Sequence, residues 1–142
     1  MKNMKYKYVY TIGCFDQFHK GHNILLNKMK KEGEILIVGV HDDASIEKLK
    51  NLTPEVHNSI VNRMNNVKKI ADIVYVISDT DPTDYIINII FKDSNKDNSC
   101  YIRGDDMIDF PAKELVSKVM NIKYYPYTQG ISATMLRKQK NK

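Results

Sequence analysis

The sequence predicts one α/β domain built around a doubly wound sheet of five parallel strands. Three observations carry this expectation. The chain has 142 residues, a length that usually folds as one compact unit with a single core. Short β-branched or aromatic runs alternate with longer amphipathic stretches, the pattern of strand–helix–strand units. Hydrophobic residues make up 42%, charged residues 27%, and Gly and Pro only 6 and 4 positions. That composition lies near the globular average and far from disordered or collagenous chains.

Strands are expected at residues 8–13, 35–40, 73–78, 100–103 and 122–125. The helix at 54–70 is the clearest, with Val56, Ile60, Val61, Met64, Val67 and Ile70 at helical spacing, Thr53 as N-cap and Pro54 in the first helical position. Shorter helices are expected at 22–31, 82–91, 113–119 and 132–139. The polar run 92–99 reads as a surface loop and 138–142 as a frayed tail. No internal repeat or linker divides residues 1–142. Right-handed crossovers between five such strands give a Rossmann-like sheet, whose ligands bind at the carboxyl ends of the strands near the reversal of strand order. The site is therefore to be sought at 13–22, 41–50, 103–109 and 127–134.

Several classes are excluded. The longest apolar runs, 35–40 and 86–91, fall well short of the ~18 residues that a membrane span needs. The basic start lacks a small-residue cleavage site and makes a poor secretory signal. Cys14 and Cys100 form no CxxC pair, so neither a disulfide framework nor a thiol zinc site is expected, which fits a reducing, cytoplasmic setting. Net charge is +5, but the lysines are scattered and cluster only at the termini, which argues against nucleic acid. An anionic small molecule uses the same charge. Only Arg63, Arg103 and Arg137 offer the planar fork suited to phosphate.

The first strand ends in Gly13-Cys14-Phe15-Asp16-Gln17-Phe18-His19-Lys20-Gly21-His22, and a helix follows. Two imidazoles three residues apart at a strand-to-helix junction, with a glycine between them, point donors at the same spot as the helix N-terminus. This is an anion site with two added donors. No third ligand at metal spacing accompanies them.

These residues resemble the cytidylyltransferase branch of the HxGH nucleotidyltransferases, and the similarity continues through most of the chain. Glycerol-3-phosphate cytidylyltransferase is nearest in length, and the phosphoethanolamine and phosphocholine enzymes are larger cousins. The resemblance implies that His19 and His22 hold the triphosphate and stabilise the α-phosphate. It implies that Gly13, Cys14, Phe15 and Gly21 shape the nucleotide pocket and that Asp16 lies on the substrate side. The stretch from Asp42 to Lys50 is similar to the family's lysine-bearing segment if one residue is deleted, and makes Lys48 catalytic and Lys50 a substrate contact. Gly104 and Asp105 correspond to a strand-end glycine and acidic residue near the nucleotide. Asp105 and Asp106 together also suit Mg²⁺ or a helix cap, and Arg103 faces either the site or the sheet. The loop Tyr127-Thr128-Gln129-Gly130-Ile131-Ser132-Ala133-Thr134 looks like the family's Arg-Thr-Glu-Gly-Ile-Ser-Thr-Thr signature, with Gly130, Ile131, Ser132 and Thr134 cradling phosphates at a helix N-terminus.

The chain departs from the family twice. Tyr127 stands where the family has an arginine on the triphosphate. In the long helix the corresponding arginine position falls on Val61, and Arg63 is about 200° round the helix from it. Arg63 and Tyr127 are retained as substrate-binding candidates. His41 either contacts nucleotide or ends its strand, His57 is expected to be exposed, and Cys14 reads as a packed thiol without a base.

The resemblance implies a transferase that joins CTP, with Mg²⁺, to a small phosphorylated alcohol, releasing pyrophosphate and a CDP-alcohol. Ile12 and the lack of Trp disfavour choline, so glycerol 3-phosphate is the first acceptor and phosphoethanolamine the second. The family commonly forms homodimers. The alternatives are an adenylyltransferase of the same superfamily and a weakened, nucleotide-binding relative that has lost the two arginines.

Overall fold

The computed structural model describes residues 6–16, 20–93, 96–104 and 112–125. Its elements run β1 (Tyr6–Gly13), α1 (Lys20–Lys30), β2 (Gly33–His41), α2 (Asp43–Lys50), a 3₁₀ turn (Pro54–Val56), α3 (Ile60–Lys68), β3 (Ile73–Ile77), α4 (Thr83–Tyr85), a π turn (Ile86–Ile90), α5 (Phe91–Asp93), β4 (Ser99–Gly104), α6 (Lys113–Val119) and β5 (Asn121–Tyr125). The expected helix at 132–139 and tail at 138–142 lie outside the described residues.

All four strand pairings are parallel, in the order β3-β2-β1-β4-β5. The chain lays down β1, β2 and β3 outward in one direction, then returns to place β4 against the other side of β1. The order therefore reverses between β1 and β4, the place where doubly wound sheets bind ligands above the carboxyl ends of the strands.

Strand alternation explains how both faces are filled. Val9, Leu36, Val38, Val40, Cys100 and Ile102 pack on one face with Leu26 and Met29 of α1 and Val67 of α3. Tyr10, Ile12, Ile37 and Tyr101 pack on the other with Ile86 and Ile90 of the π turn and Val116 of α6. Strands covered on both faces need near-continuous apolar sequence, which β1 and β2 have. No described helix is long and apolar enough to cross a membrane.

Two expectations about helices are corrected. Residues 54–70 are not one helix: the 3₁₀ turn stops at Val56, and His57 is extended with φ −132° and ψ 159°. The Ser59 side chain then caps a new helix by accepting from Asn62 N, so the apolar spacing belongs to α3 alone. The segment similar to the family's lysine-bearing stretch, for which no helix was expected, is the helix α2. Asp42 caps it by accepting from Ser45 N at 2.8 Å, and Ile46 is fully buried beneath it. The expected helix 82–91 is found as a continuous helical run from Thr83, within which Ile86–Ile90 form a π turn whose Ile86 and Ile90 are both fully buried.

Candidate functional site

At the end of β1 the chain turns sharply. Phe15 adopts a left-handed backbone with φ 54°, a conformation that costs a bulky residue of order 1–3 kcal/mol and clusters at functional sites. A Cβ on Gly13 would stand 3.0 Å from Phe15 Cε2, so glycine lets the ring fold back over the strand end. The ring meets His22 edge-on, with centroids 5.7 Å apart and planes at 61°. His22 is buried on α1, whose N-terminus faces the same strand end and favours an anion there. Gly21 lies in the first turn of that helix. His19 lies outside the described residues.

The next strand end carries His41, also buried. Its Nδ1 donates to the Asp79 carbonyl at 2.9 Å. Desolvation lowers its pKa below the ordinary value, outweighing the pull of that carbonyl and of Asp42, so the ring is neutral near pH 7. Burial works against the Asp42 carboxylate, yet hydrogen bonds from Ser45 and Ser78 hold it below the usual carboxylate range. Lys48 and Lys50 are exposed on α2. Lys48 lines an open cleft of ≈ 260 Å³ with Ala44, Ser45, Ser78, Asp79 and Thr80. The contribution of 78–80 was not legible in advance, because nothing in a polar turn after a strand says which helix it will face.

Arg63 does not reach the surface, which corrects its reading as a substrate contact. Its side chain is 0% exposed and sits under the site. Nη1 donates to the carbonyls of Cys14 at 2.9 Å and His41 at 2.6 Å, Nε to Asn58 O at 2.9 Å, and Nη2 to Asp43 Oδ1 at 2.8 Å. These bonds join the ends of β1 and β2, the start of α2 and the turn before α3. The neighbouring Asn58 N–H donates to Asp16 Oδ1 at 2.9 Å, which fixes the buried Asp16 as part of the same platform. Val61, at the family's arginine position, is 63% exposed.

His57 is corrected as well. Its side chain is only 3% exposed and lies 2.7 Å from Glu47 Oε2, with Nδ1 2.8 Å from the Asn58 carbonyl. Sequence reasoning missed Asp43, Glu47 and Asn58, although the Asn58-Ser59 pair is a capping signal that ends one helix and begins another.

On the other side of the reversal, Gly104 ends β4 beside Tyr125 of β5. Arg103 follows Tyr101 by two residues. Burial pushes the Tyr101 hydroxyl up to about 12, with the Arg103 charge pulling it back. Arg103 therefore leans on the face covered by the π turn and α6. Asp105, Asp106, Tyr127, Gly130, Ile131, Ser132 and Thr134 lie outside the described residues. The described site residues brought together are Gly13, Phe15 and His22, in contact at the junction of β1 and α1, and Cys14 and Asp16, tied to Arg63 and Asn58 beneath it. Lys48 lines the separate cleft beside residues 78–80, and Lys50 is exposed on α2.

A profile of the cytidylyltransferase-like family matches residues 10–139. The bifunctional protein HldE of a Nitratiruptor species is 28% identical over 133 residues, covering 90% of this chain and 26% of the relative. HldE of Helicobacter acinonychis (strain Sheeba) is 59% identical over 46 residues, 32% of this chain and 10% of that protein. The chain thus spans about a quarter or less of the length of these relatives. Among solved structures, the lipopolysaccharide core biosynthesis protein from Thermoplasma volcanium has a TM-score of 0.65 at 23% identity, over 86% of this chain and 98% of that one. A bifunctional NMN adenylyltransferase/ADP ribose pyrophosphatase from Francisella tularensis has a TM-score of 0.57 at 12% identity, over 94% of this chain and 42% of that one. Both share the fold.

Proposed function

The chain belongs to the cytidylyltransferase-like family of nucleotidyltransferases, and from that premise we propose that it transfers the nucleotidyl group of CTP to the phosphate of a small phosphorylated alcohol. A phosphate oxygen of the acceptor attacks the α-phosphorus, the bond from that phosphorus to the bridging β-oxygen breaks, and pyrophosphate leaves. Such displacements depend on positioning and on stabilising charge on the phosphoryl oxygens, with no protein nucleophile required.

One observation carries this reading. At the reversal of strand order, the end of β1, the N-terminus of α1 and His22 converge on one spot, held from below by Arg63. In this role His22 donates to the α-phosphate, together with His19 from the same motif. Gly13 and Phe15 keep the strand end low enough for the nucleotide to lie across it. Lys48 and Lys50, on the α2 flank, offset the negative charge of the incoming acceptor phosphate. Glycerol 3-phosphate is the first acceptor in this proposal.

Mg²⁺ enters with the triphosphate. Among the described residues no three metal-ligating side chains converge, and the carboxylates of Asp16, Asp42 and Asp43 already accept hydrogen bonds from Asn58, Ser45 and Arg63. That donor set fits an ion held mainly by phosphate oxygens and water. A homodimer belongs to the same proposal.

ATP is the second donor, because the same fold carries adenylyl transfer in the Francisella protein. The deciding experiment measures pyrophosphate release with CTP and with ATP against glycerol 3-phosphate, phosphoethanolamine and sugar phosphates. Turnover with CTP and a phosphoalcohol supports the proposal. Turnover with ATP alone replaces the donor, and no turnover with any pair removes the enzymatic reading.

A further inference from the structure

We propose that His57, in its doubly protonated form, is a positioning residue that latches α2, and with it Lys48, to the platform at the strand ends. The argument begins with hydrogen-bond counting. Nδ1 faces the Asn58 carbonyl at 2.8 Å and Nε2 faces the Glu47 carboxylate at 2.7 Å. A carbonyl accepts only, and so does an ionised carboxylate. A neutral imidazole has one N–H and must present a lone pair to one of them, whereas the imidazolium donates to both. The geometry is that of a cation.

The charged groups around the ring agree. Glu47 and Asp43 face it from α2, with Asp43 Oδ1 3.8 Å from Nδ1. Arg63, from α3, donates to that same Asp43 oxygen and to the same Asn58 carbonyl, while Asp16 Oδ1, from the end of β1, accepts the Asn58 N–H. Two cations and three carboxylates thus share one half-buried cluster. Desolvation pulls the His57 pKa down, but the Asn58 carbonyl, Glu47 and Asp43 together outweigh it and raise it above 6.5.

The latch matters because, beyond the Arg63–Asp43 pair at its start, α2 is lightly held. It is 8 residues long, and its buried residues are Ser45 and Ile46. Helices with few buried contacts open locally at low cost. Glu47 is held by His57 on one side of α2, and the next residue, Lys48, lines the cleft with Ser78, Asp79 and Thr80. Loss of the His57 proton removes one of its two hydrogen bonds and sets a lone pair against an acceptor. The helix that carries Lys48 then loosens. That consequence for catalysis rests on the proposed role of Lys48; the latch itself does not.

The test uses the full chain labelled with ¹⁵N. The imidazole of His57, identified by its loss in His57→Gln, is titrated by NMR, and amide exchange protection is followed at residues 43–50 on both sides of the titration. The expected result is a His57 midpoint above 6.5 that falls in Glu47→Gln, with protection of α2 dropping about tenfold for each unit by which that midpoint exceeds 6.5. In the same window kcat should fall while nucleotide KM stays level, and the fall should vanish in His57→Gln, whose kcat is low at all pH values. A His57 midpoint at or below 6.5, or equal α2 protection on both sides of it, overturns the latch. If no donor and acceptor pair turns over, the enzymatic reading fails by itself, and the titration with the exchange data still decides the latch. A flat kcat in an active enzyme whose α2 loosens on cue overturns the link to Lys48.

Discussion

The guanidinium of Arg63 donates to the carbonyl of Cys14 at 2.9 Å, across 49 positions of sequence. A second bond from the same Nη1 reaches the His41 carbonyl at 2.6 Å. One side chain on α3 thereby sets the height of two adjacent strand ends, over which the nucleotide is proposed to lie. Carbonyls at the end of a parallel strand have no ladder partner beyond the last pair, so a buried arginine with several donors is a chemically economical way to satisfy them.

Arg63→Ala should destabilise the chain by about 3–5 kcal/mol, since it leaves the carbonyls of Cys14, His41 and Asn58 without their donor at roughly 1–3 kcal/mol for each unsatisfied buried acceptor. Arg63→Lys should fall between, since an ammonium keeps the charge but cannot span the same carbonyls. Urea denaturation measures both. A loss under about 1 kcal/mol for Arg63→Ala, the range of ordinary surface changes, contradicts the burial described above.

His22→Ala should lower kcat by about 100-fold, the usual scale for one preorganised donor to a developing oxyanion. The edge contact with Phe15 adds a stability loss of about 0.5–1.5 kcal/mol, so rates must be taken well below the melting transition. Equal turnover by the folded variant and the parent rejects His22 as an α-phosphate donor.

The fold was readable because strands buried on both faces are short, dense apolar runs. β3 was expected at 73–78 and is Ile73–Ile77; β4 was expected at 100–103 and is Ser99–Gly104. The chain from 42 to 63 was harder. The pattern that gave 54–70 as one helix counted Val56 with Ile60 and Met64, although Val56 sits in a separate 3₁₀ turn. What divides them is a capping competition at Ser59 and the long-range bonds of His57 and Asn58. Neither has a periodicity. The place of Gly13 at the end of β1 and of His22 in the helix that follows was legible from the motif, whereas the place of Arg63 depends on carbonyls 49 and 22 positions away. Backbone acceptors leave no residue-type signal.

His41 should give the stability profile an acid limb. Burial lowers its folded-state pKa, so the unfolded chain binds the proton more readily. The stabilisation is complete above the unfolded value near 6.5 and is lost as pH falls through the folded value. His57, with its raised pKa, runs the other way: its contribution is complete below about 6.5 and is lost as pH rises through its folded value. His41→Asn, which can still donate to Asp79, should flatten the profile below about pH 6.5 and leave the alkaline side intact. Parallel curves for variant and parent in that acid window reject the assignment.

Lys48→Ala tests where the acceptor lies. Lys48 is exposed on α2, so stability should change by no more than about 0.5 kcal/mol. A charge-assisted hydrogen bond is worth roughly 1.5–3 kcal/mol, which predicts a fall in kcat/KM for the phosphorylated acceptor of about 10- to 150-fold. The dissociation constant for nucleotide should change less than about threefold, because the triphosphate is proposed to sit over β1 and α1 rather than over α2. Lys48→Arg should recover part of the loss, since charge is restored without the same reach. If instead nucleotide binding weakens as much as kcat/KM falls, Lys48 contacts the triphosphate in the ground state, and the cleft beside Ser78 and Thr80 belongs to the nucleotide rather than to the acceptor.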